Sequence, residues 1–388
     1  MPQIMKKVYL LTLLISFSTF AQKTFDNIKS EKLGEERRIT IGLPASYEAN
    51  KTKKYPVLYL LDGDYLFDPF SGAVSYGSYW DDIPEMIIIG IHQNKDGERF
   101  DDTTIDQNNG LPFEKGAQFF EFIGAELIPY IEKKYRTSPF RMIAGHDLTA
   151  SFANFYLYKE NPLFNAYICL SPELAPKMEV RIPEKFAKIK QPIFYYLSAA
   201  EGDIKKIKEP IEKLDSNIKI ANNPLVNYKY DVFKGTTHYT EVLHSIPSAL
   251  YQIFEVYRPI NSEEYKNKIA VLESGYAEYL EQKYNTMSEV MGVQIPVRMS
   301  DFKVIENIIL KKNAYSELGK MAEIGNVHYP KAMLGEYELG LMYEKQGDPK
   351  HASKKYQNAS QMEPIGDLNK DLMYEKIDEM NTLAKKSK

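Results

Sequence analysis

A chain of 388 residues with 44% hydrophobic content is long enough for one large domain and a smaller companion. A formal net charge of −4 gives no electrostatic reason to expect nucleic acid as a partner. One cysteine excludes an intramolecular disulfide, so an exported chain of this kind must be held by its core.

Lys6 and Lys7, followed by the apolar run Val8 to Phe20 and a small residue at Ala21, read as an export signal cleaved before Gln22. The run is too short to span a bilayer, and no later segment is apolar enough to do so. No Cys sits at the cleavage point, so a lipid anchor is not indicated, and the expected location is the periplasm or the cell exterior. Residues 1–21 are assigned to this signal, 22–259 to a sheet domain and 260–388 to a helical domain.

Within the sheet domain, Arg37 to Leu43 alternates as a half-exposed strand does. Tyr55 to Leu61 is a continuous apolar run, a buried strand stopped by the turn Asp62-Gly63-Asp64. Phe70 to Trp80 predicts a loose helix and Glu85 to Ile91 a second buried strand. His92 to Gly110 is polar and irregular, a long loop of the kind that lines sites. Gly116 to Arg136 has helical spacing through Phe119, Ile123, Leu127 and Ile131.

The stretch R-M-I-A-G-H-D-L-T-A, Arg141 to Ala150, then joins an apolar strand to a helix through a Gly and small residues. That is the shape of a nucleophile elbow, whose exposed position is occupied by Asp147. Strands follow at Ala166 to Leu170, which buries Cys169, at Pro192 to Leu197 and at Val226 to Phe233. Helices are predicted at Ile204 to Leu214 and Thr240 to Tyr257. Alternating strands and helices predict an α/β fold with a doubly wound, mostly parallel sheet. Sites in such sheets lie at the strands' carboxyl ends, where Gly63, Asp147, Glu201, Asp203 and His238 all fall.

From Asn261 the period is helical throughout. Met333 to Pro364 matches a tetratricopeptide unit at Leu339, Gly340, Tyr343, Gly347, Ala352, Tyr356, Ala359 and Pro364, with Glu336 in place of the first aromatic. A degenerate copy precedes it, and too few repeats for a free solenoid predict that this tail docks on the sheet domain.

The stretch from Phe25 to Tyr257 resembles the esterase family of α/β-hydrolases that holds esterase D-like, enterochelin esterase-like and feruloyl esterase-like enzymes. The pieces that carry the likeness are L-G-E-E-R-R-I-T-I at Leu33, Y-P-V-L-Y-L-L-D-G-D at Tyr55 and P-E-M-I-I-I-G-I at Pro84. E-L-I-P-Y-I-E-K-K-Y-R at Glu126, F-R-M-I-A-G-H-D-L at Phe140, L-S-P at Leu170 and G-T-T-H at Gly235 complete it, in family order. The resemblance implies an α/β-hydrolase sheet and ester hydrolysis. It implies Ser at the position of Asp147, a catalytic His at His238 and an acid at Glu201 or Asp203. It implies an oxyanion hole from N–H groups near Gly63 or Asp64 and at Leu148. The place of Thr149 is generally a smaller residue, and His146 matches a position that is commonly His and supports the elbow.

A carboxylate is a poor nucleophile at an ester carbonyl, because the anhydride it would form gains nothing over the ester. Three readings follow. The first is a silent scaffold with Asp147 paired to His238, binding a small-molecule, glycan-borne or siderophore-like ester. The second is a hydrolase in which Asp147 displaces a leaving group from saturated carbon, as in haloalkane dehalogenases and epoxide hydrolases of the same superfamily. The third is weak hydrolysis with Asp147 as a general base. Tyr65, Tyr79 and Tyr239 are candidate donors to a leaving group, and Ser171 is a candidate substitute nucleophile. His92 is a candidate to face the pocket, and His244 reads as surface. The helical tail offers a surface for a protein partner. No H-E-x-x-H, paired Cys, EF-hand or Gly-rich phosphate loop occurs, so neither metal nor cofactor is expected.

Overall fold

The computed structural model describes residues 23–386; the apolar segment read as an export signal lies outside them. Eight strands form one sheet in the order β1-β2-β4-β3-β5-β6-β7-β8. They are β1 (Lys23–Ser30), β2 (Glu35–Gly42), β3 (Tyr55–Leu60), β4 (Ile87–Ile91), β5 (Thr137–His146), β6 (Ala166–Leu170), β7 (Ile193–Ala200) and β8 (Val226–Phe233). β1 and β2 run antiparallel to their neighbours, and β3 to β8 are parallel. The doubly wound α/β class expected from the alternating elements is what the chain adopts.

The apolar runs explain the two faces. In β3, Tyr55, Val57 and Tyr59 pack into one core while Leu58 and Leu60 pack into the other. β4 repeats this, with Ile87, Ile89 and Ile91 on the first face and Ile88 on the second. Successive side chains alternate across a strand, so a run apolar at every position must be covered on both sides. Phe119, Phe122, Ile123 and Leu127 cover the first face. Leu66, Phe67 and Phe70 with Val242, Ile246 and Leu250 cover the second.

Several elements differ from expectation. β1 was not anticipated, because its pattern is mostly exposed and carries few apolar residues to mark it. The helix expected from Phe70 begins at Gly63 and tolerates Pro69 inside it. The helix expected over Gly116 to Arg136 contains a wider turn at Phe122–Leu127, just ahead of Pro129, whose missing N–H suits such a break. The loop His92 to Gly110 holds a short helix, Glu98–Asp102.

The tail is a series of helices, among them Tyr276–Met291, Met299–Lys312, Leu334–Lys345 and Pro349–Ala359, around a core of its own. Gly340 lies so close to Tyr356 that a Cβ there would come within 2.6 Å of the ring. The tail does dock on the sheet-bearing part. Met291 joins the core of Phe140 and Phe254, and Arg298 forms a two-pronged ion pair with Asp81. Among the described residues, no helix is long and apolar enough to cross a membrane.

Candidate active site

The elbow is built from its glycine outward. A Cβ at Gly145 would lie 2.6 Å from the Thr149 carbonyl carbon, so only Gly lets the helix Leu148–Ala153 fold back against β5. Asp147 then sits at φ 60°, ψ −119°, a conformation costly for any residue with a side chain. Neighbouring backbone holds it there. Its N–H donates to the Leu170 carbonyl at 3.0 Å, and its own carbonyl accepts from Ser151 at 3.1 Å and Glu173 at 3.3 Å.

His238 follows β8, and its Nδ1 lies 2.7 Å from Asp203 Oδ1. The other Asp203 oxygen accepts from the Ser171 hydroxyl at 2.6 Å and the Ala200 N–H at 2.7 Å. Burial alone would raise the Asp203 carboxyl, but the bonds from His238, Ser171 and Ala200 prevail and hold it below the usual range. The bond to Asp203, opposed by burial and helped by the charge of Asp147, raises the His238 imidazole above its ordinary value. Its Nε2 faces Asp147 Oδ1 at 3.7 Å.

Of the two candidate acids, Asp203 is therefore the one beside His238. Glu201 instead accepts the Gly235 N–H at 2.8 Å and ties down the loop that leads to His238. The Ser171 hydroxyl is buried and committed to Asp203, which argues against its use as a nucleophile.

Two residues that the sequence reading passed over complete the site. Asp62, buried and at φ 53°, faces the Arg99 guanidinium, with Nε–Oδ1 at 2.7 Å and Nη2–Oδ2 at 3.2 Å. Arg99 also donates to the His146 carbonyl at 3.0 Å and reaches Asp147 Oδ2 with Nη1 at 3.5 Å. Thr149, flagged as bulky, is useful here: its hydroxyl donates to Asp62 at 2.6 Å and accepts the His146 N–H at 3.0 Å.

His146 is buried between Tyr65 and the His238 backbone. Its Nδ1 is 3.1 Å from the Tyr65 hydroxyl and its Nε2 3.0 Å from the His238 carbonyl, which assigns the proton to Nε2. Burial, then the charge of His238, push it down to about 4, so it stays neutral and supports the elbow.

Gly63 and Leu148 each open a helix at the carboxyl ends of β3 and β5, with first-turn N–H groups unused by the helix. Gly63 is packed so tightly that a Cβ would meet the Gly90 carbonyl carbon at 2.5 Å. Asp64 turns its carboxylate away, to His92 Nδ1 at 2.7 Å and the Gln93 N–H at 2.8 Å. His92 also contacts the Thr40 hydroxyl at 2.7 Å and is tied down rather than aimed at the elbow. The Tyr65 hydroxyl donates to Asp62 at 2.8 Å. Tyr239 is exposed with its ring edge-on to His238, His244 is exposed, and Tyr79 lies at the far end of its helix.

A hollow of about 480 Å³ borders the elbow helix at Leu148 and Ser151, with Phe100, Phe152 and the Glu173–Lys206 ion pair in its wall. A larger one of about 590 Å³ lies well away, between Glu255 and Thr286. Among the described residues, no group of three His, Cys, Asp or Glu side chains is arranged to hold a metal.

Residues 30–247 match a family model described as Putative esterase. Among solved structures, an uncharacterised protein from Capnocytophaga ochracea superposes with a TM-score of 0.85 at 29% identity, over 93% of this chain and 100% of that one. An IroE-like serine hydrolase from Shewanella oneidensis gives 0.59 at 20% identity, over 80% of this chain and 100% of that one. The siderophore hydrolase EstA from Aspergillus nidulans gives 0.50 at 16% identity, over 61% of this chain and 95% of that one. At such identities the last two show the fold alone. No curated protein matches the chain. With more than half of its length inside the family model and its strands wound in the α/β-hydrolase manner, this chain belongs to that esterase family.

Proposed function

We propose that this protein is an esterase scaffold that does not transfer acyl groups and uses its site to bind a small-molecule ester. The observation that carries the reading is the Asp147 carboxylate, 3.5 Å from Arg99 Nη1 and 3.7 Å from His238 Nε2. In acyl transfer, a serine hydroxyl at such a turn gives its proton to histidine and attacks the carbonyl. An ionised carboxylate has no proton to give and no useful acyl intermediate to form. Its charge also adds to that of Asp203 in favouring a protonated imidazole, and a protonated imidazole accepts no proton.

Family membership supports an ester as the ligand, and the name of the Aspergillus neighbour is in keeping with a siderophore-like one. The reading includes export to the periplasm or beyond, on the strength of Lys6, Lys7 and Val8 to Phe20, and a protein partner for the helical tail. The test is incubation with p-nitrophenyl acetate and a serine-directed phosphonate. Neither turnover nor labelling is expected, and a phosphonylated Ser overturns the reading.

The intact Asp203–His238 pair favours one alternative. Asp147 Oδ1 would bond to a saturated carbon while the leaving group departs with the bonding electrons. Water deprotonated by His238 would then attack the carboxyl carbon and release the alcohol. Single turnover in ¹⁸O-water would leave label in the Asp147 side chain.

A further inference from the structure

The helix Gly63–Tyr79 begins at the site and ends about 24 Å from it, at 1.5 Å per residue. Its last turns carry Tyr76, Tyr79 and, at the cap, Trp80, which are 65%, 79% and 60% exposed. Spacings of three and four put them on one side of the helix. Rings this large contribute most when covered, so a surface strip of three, including the chain's one Trp, marks a contact site.

Tyr79 and Trp80 stand at 84° with centroids 5.1 Å apart, so the strip is a corner rather than a flat stack. Beside Tyr79 lies a hollow of about 300 Å³, walled by Ser71, Ser75 and Ser78 and by Pro44 and Ala45 after β2. Its aliphatic floor, Val74, Met86 and Ile88, is already buried. The nearest ion pairs are closed, Asp81 to Arg298 and Glu85 to Lys53. Asp82, which has no ion pair among the described residues, adds one acceptor. What the hollow leaves open is ring faces and hydroxyls beside the half-buried Leu43 and Pro44 and the small, exposed Ala45, and no Lys or Arg stands in its wall to hold an anion.

We propose that this corner is a surface site for a neutral polysaccharide. The C–H face of a sugar ring would lie on Tyr79 or Trp80, and its hydroxyls would bond to the serines and Asp82. The site is separate from the elbow and does not depend on whether the elbow is silent.

The test uses the full chain in native gels that contain soluble xylan, glucomannan, laminarin or amylopectin, backed by titration of Trp80 fluorescence. Retardation in at least one gel is expected, with a saturable change in emission. Trp80→Ala and Tyr79→Ala should each weaken retention at least tenfold while keeping the wild-type melting curve. Unaltered mobility in all four gels overturns the proposal. Retention that survives Trp80→Ala, or that is lost with Asp147→Ala, also overturns it and moves binding to the elbow.

Discussion

Arg99 and Asp62 are paired side by side beneath the elbow, and the same guanidinium reaches the Asp147 carboxylate. Asp62 is fully buried and the Arg99 side chain is 17% exposed, so the carboxylate depends on the guanidinium rather than on water. Arg99→Ala strands the Asp62 charge among Tyr65 and Thr149. A loss of about 3 kcal/mol is expected from urea unfolding, the usual scale for breaking a buried pair from one side. Arg99→Lys should recover only part, since an ammonium cannot match the two-pronged geometry.

Asp147→Ser restores the hydroxyl at a turn whose Asp203–His238 pair is already in place. Hydrolysis of p-nitrophenyl acetate should rise at least a hundredfold above the wild-type rate, and the phosphonate should now label residue 147. Adding His238→Ala should remove the gain. A silent Asp147→Ser variant would mean that the N–H groups at Gly63 and Leu148 do not form an oxyanion hole.

The two site histidines pull stability in opposite directions with pH. His146 titrates at about 4 when folded and near ~6.5 when unfolded. Between these values only the unfolded chain holds the proton, so stability falls as pH drops through that window, by about 3 kcal/mol in all. His238 is raised in the fold. Its contribution is complete below about 6.5 and fades as pH climbs through its folded value. Urea midpoints from pH 4 to 9 check both. His146→Gln should flatten the acid limb, and His238→Gln the alkaline one.

Gly145→Ala puts a methyl group against the backbone of Thr149 and Ala150, which cannot step aside without unwinding the helix start. Destabilisation of about 3 kcal/mol or more is expected, at the upper end for overpacked sites. Thermal unfolding of the variant beside Gly72→Ala, where nothing lies within 4 Å and the backbone is ordinary helix, separates the clash from the loss of a glycine.

The residues that the sequence revealed share one property: each closely follows a strand that its pattern marks, an apolar run in β5 and β7 and alternation in β8. Asp147 follows β5, Asp203 follows β7 and His238 follows β8, and strands of a parallel sheet deliver their ends to one side. Arg99 follows no such run. It stands in a polar stretch without period, and its partner Asp62 is 37 residues away. No local pattern encodes a contact of that kind. Glu201 and Asp203 could not be told apart for a different reason. They are two residues apart in one turn, and only the folded turn sends Asp203 inward to the Ala200 N–H and Glu201 outward to Gly235. β1 was missed because an exposed edge strand needs few apolar residues.

Met291 ends a tail helix, yet it is buried with Phe140 of β5 and Phe254. The join between the two parts of the molecule is thus not a weak place in energy. Shearing the chain near residue 260 would open a wet hole under the strand that carries the elbow. Heating should accordingly melt sheet and tail in one cooperative event, and a protease that nicks the tail should cost the site its rigidity as well.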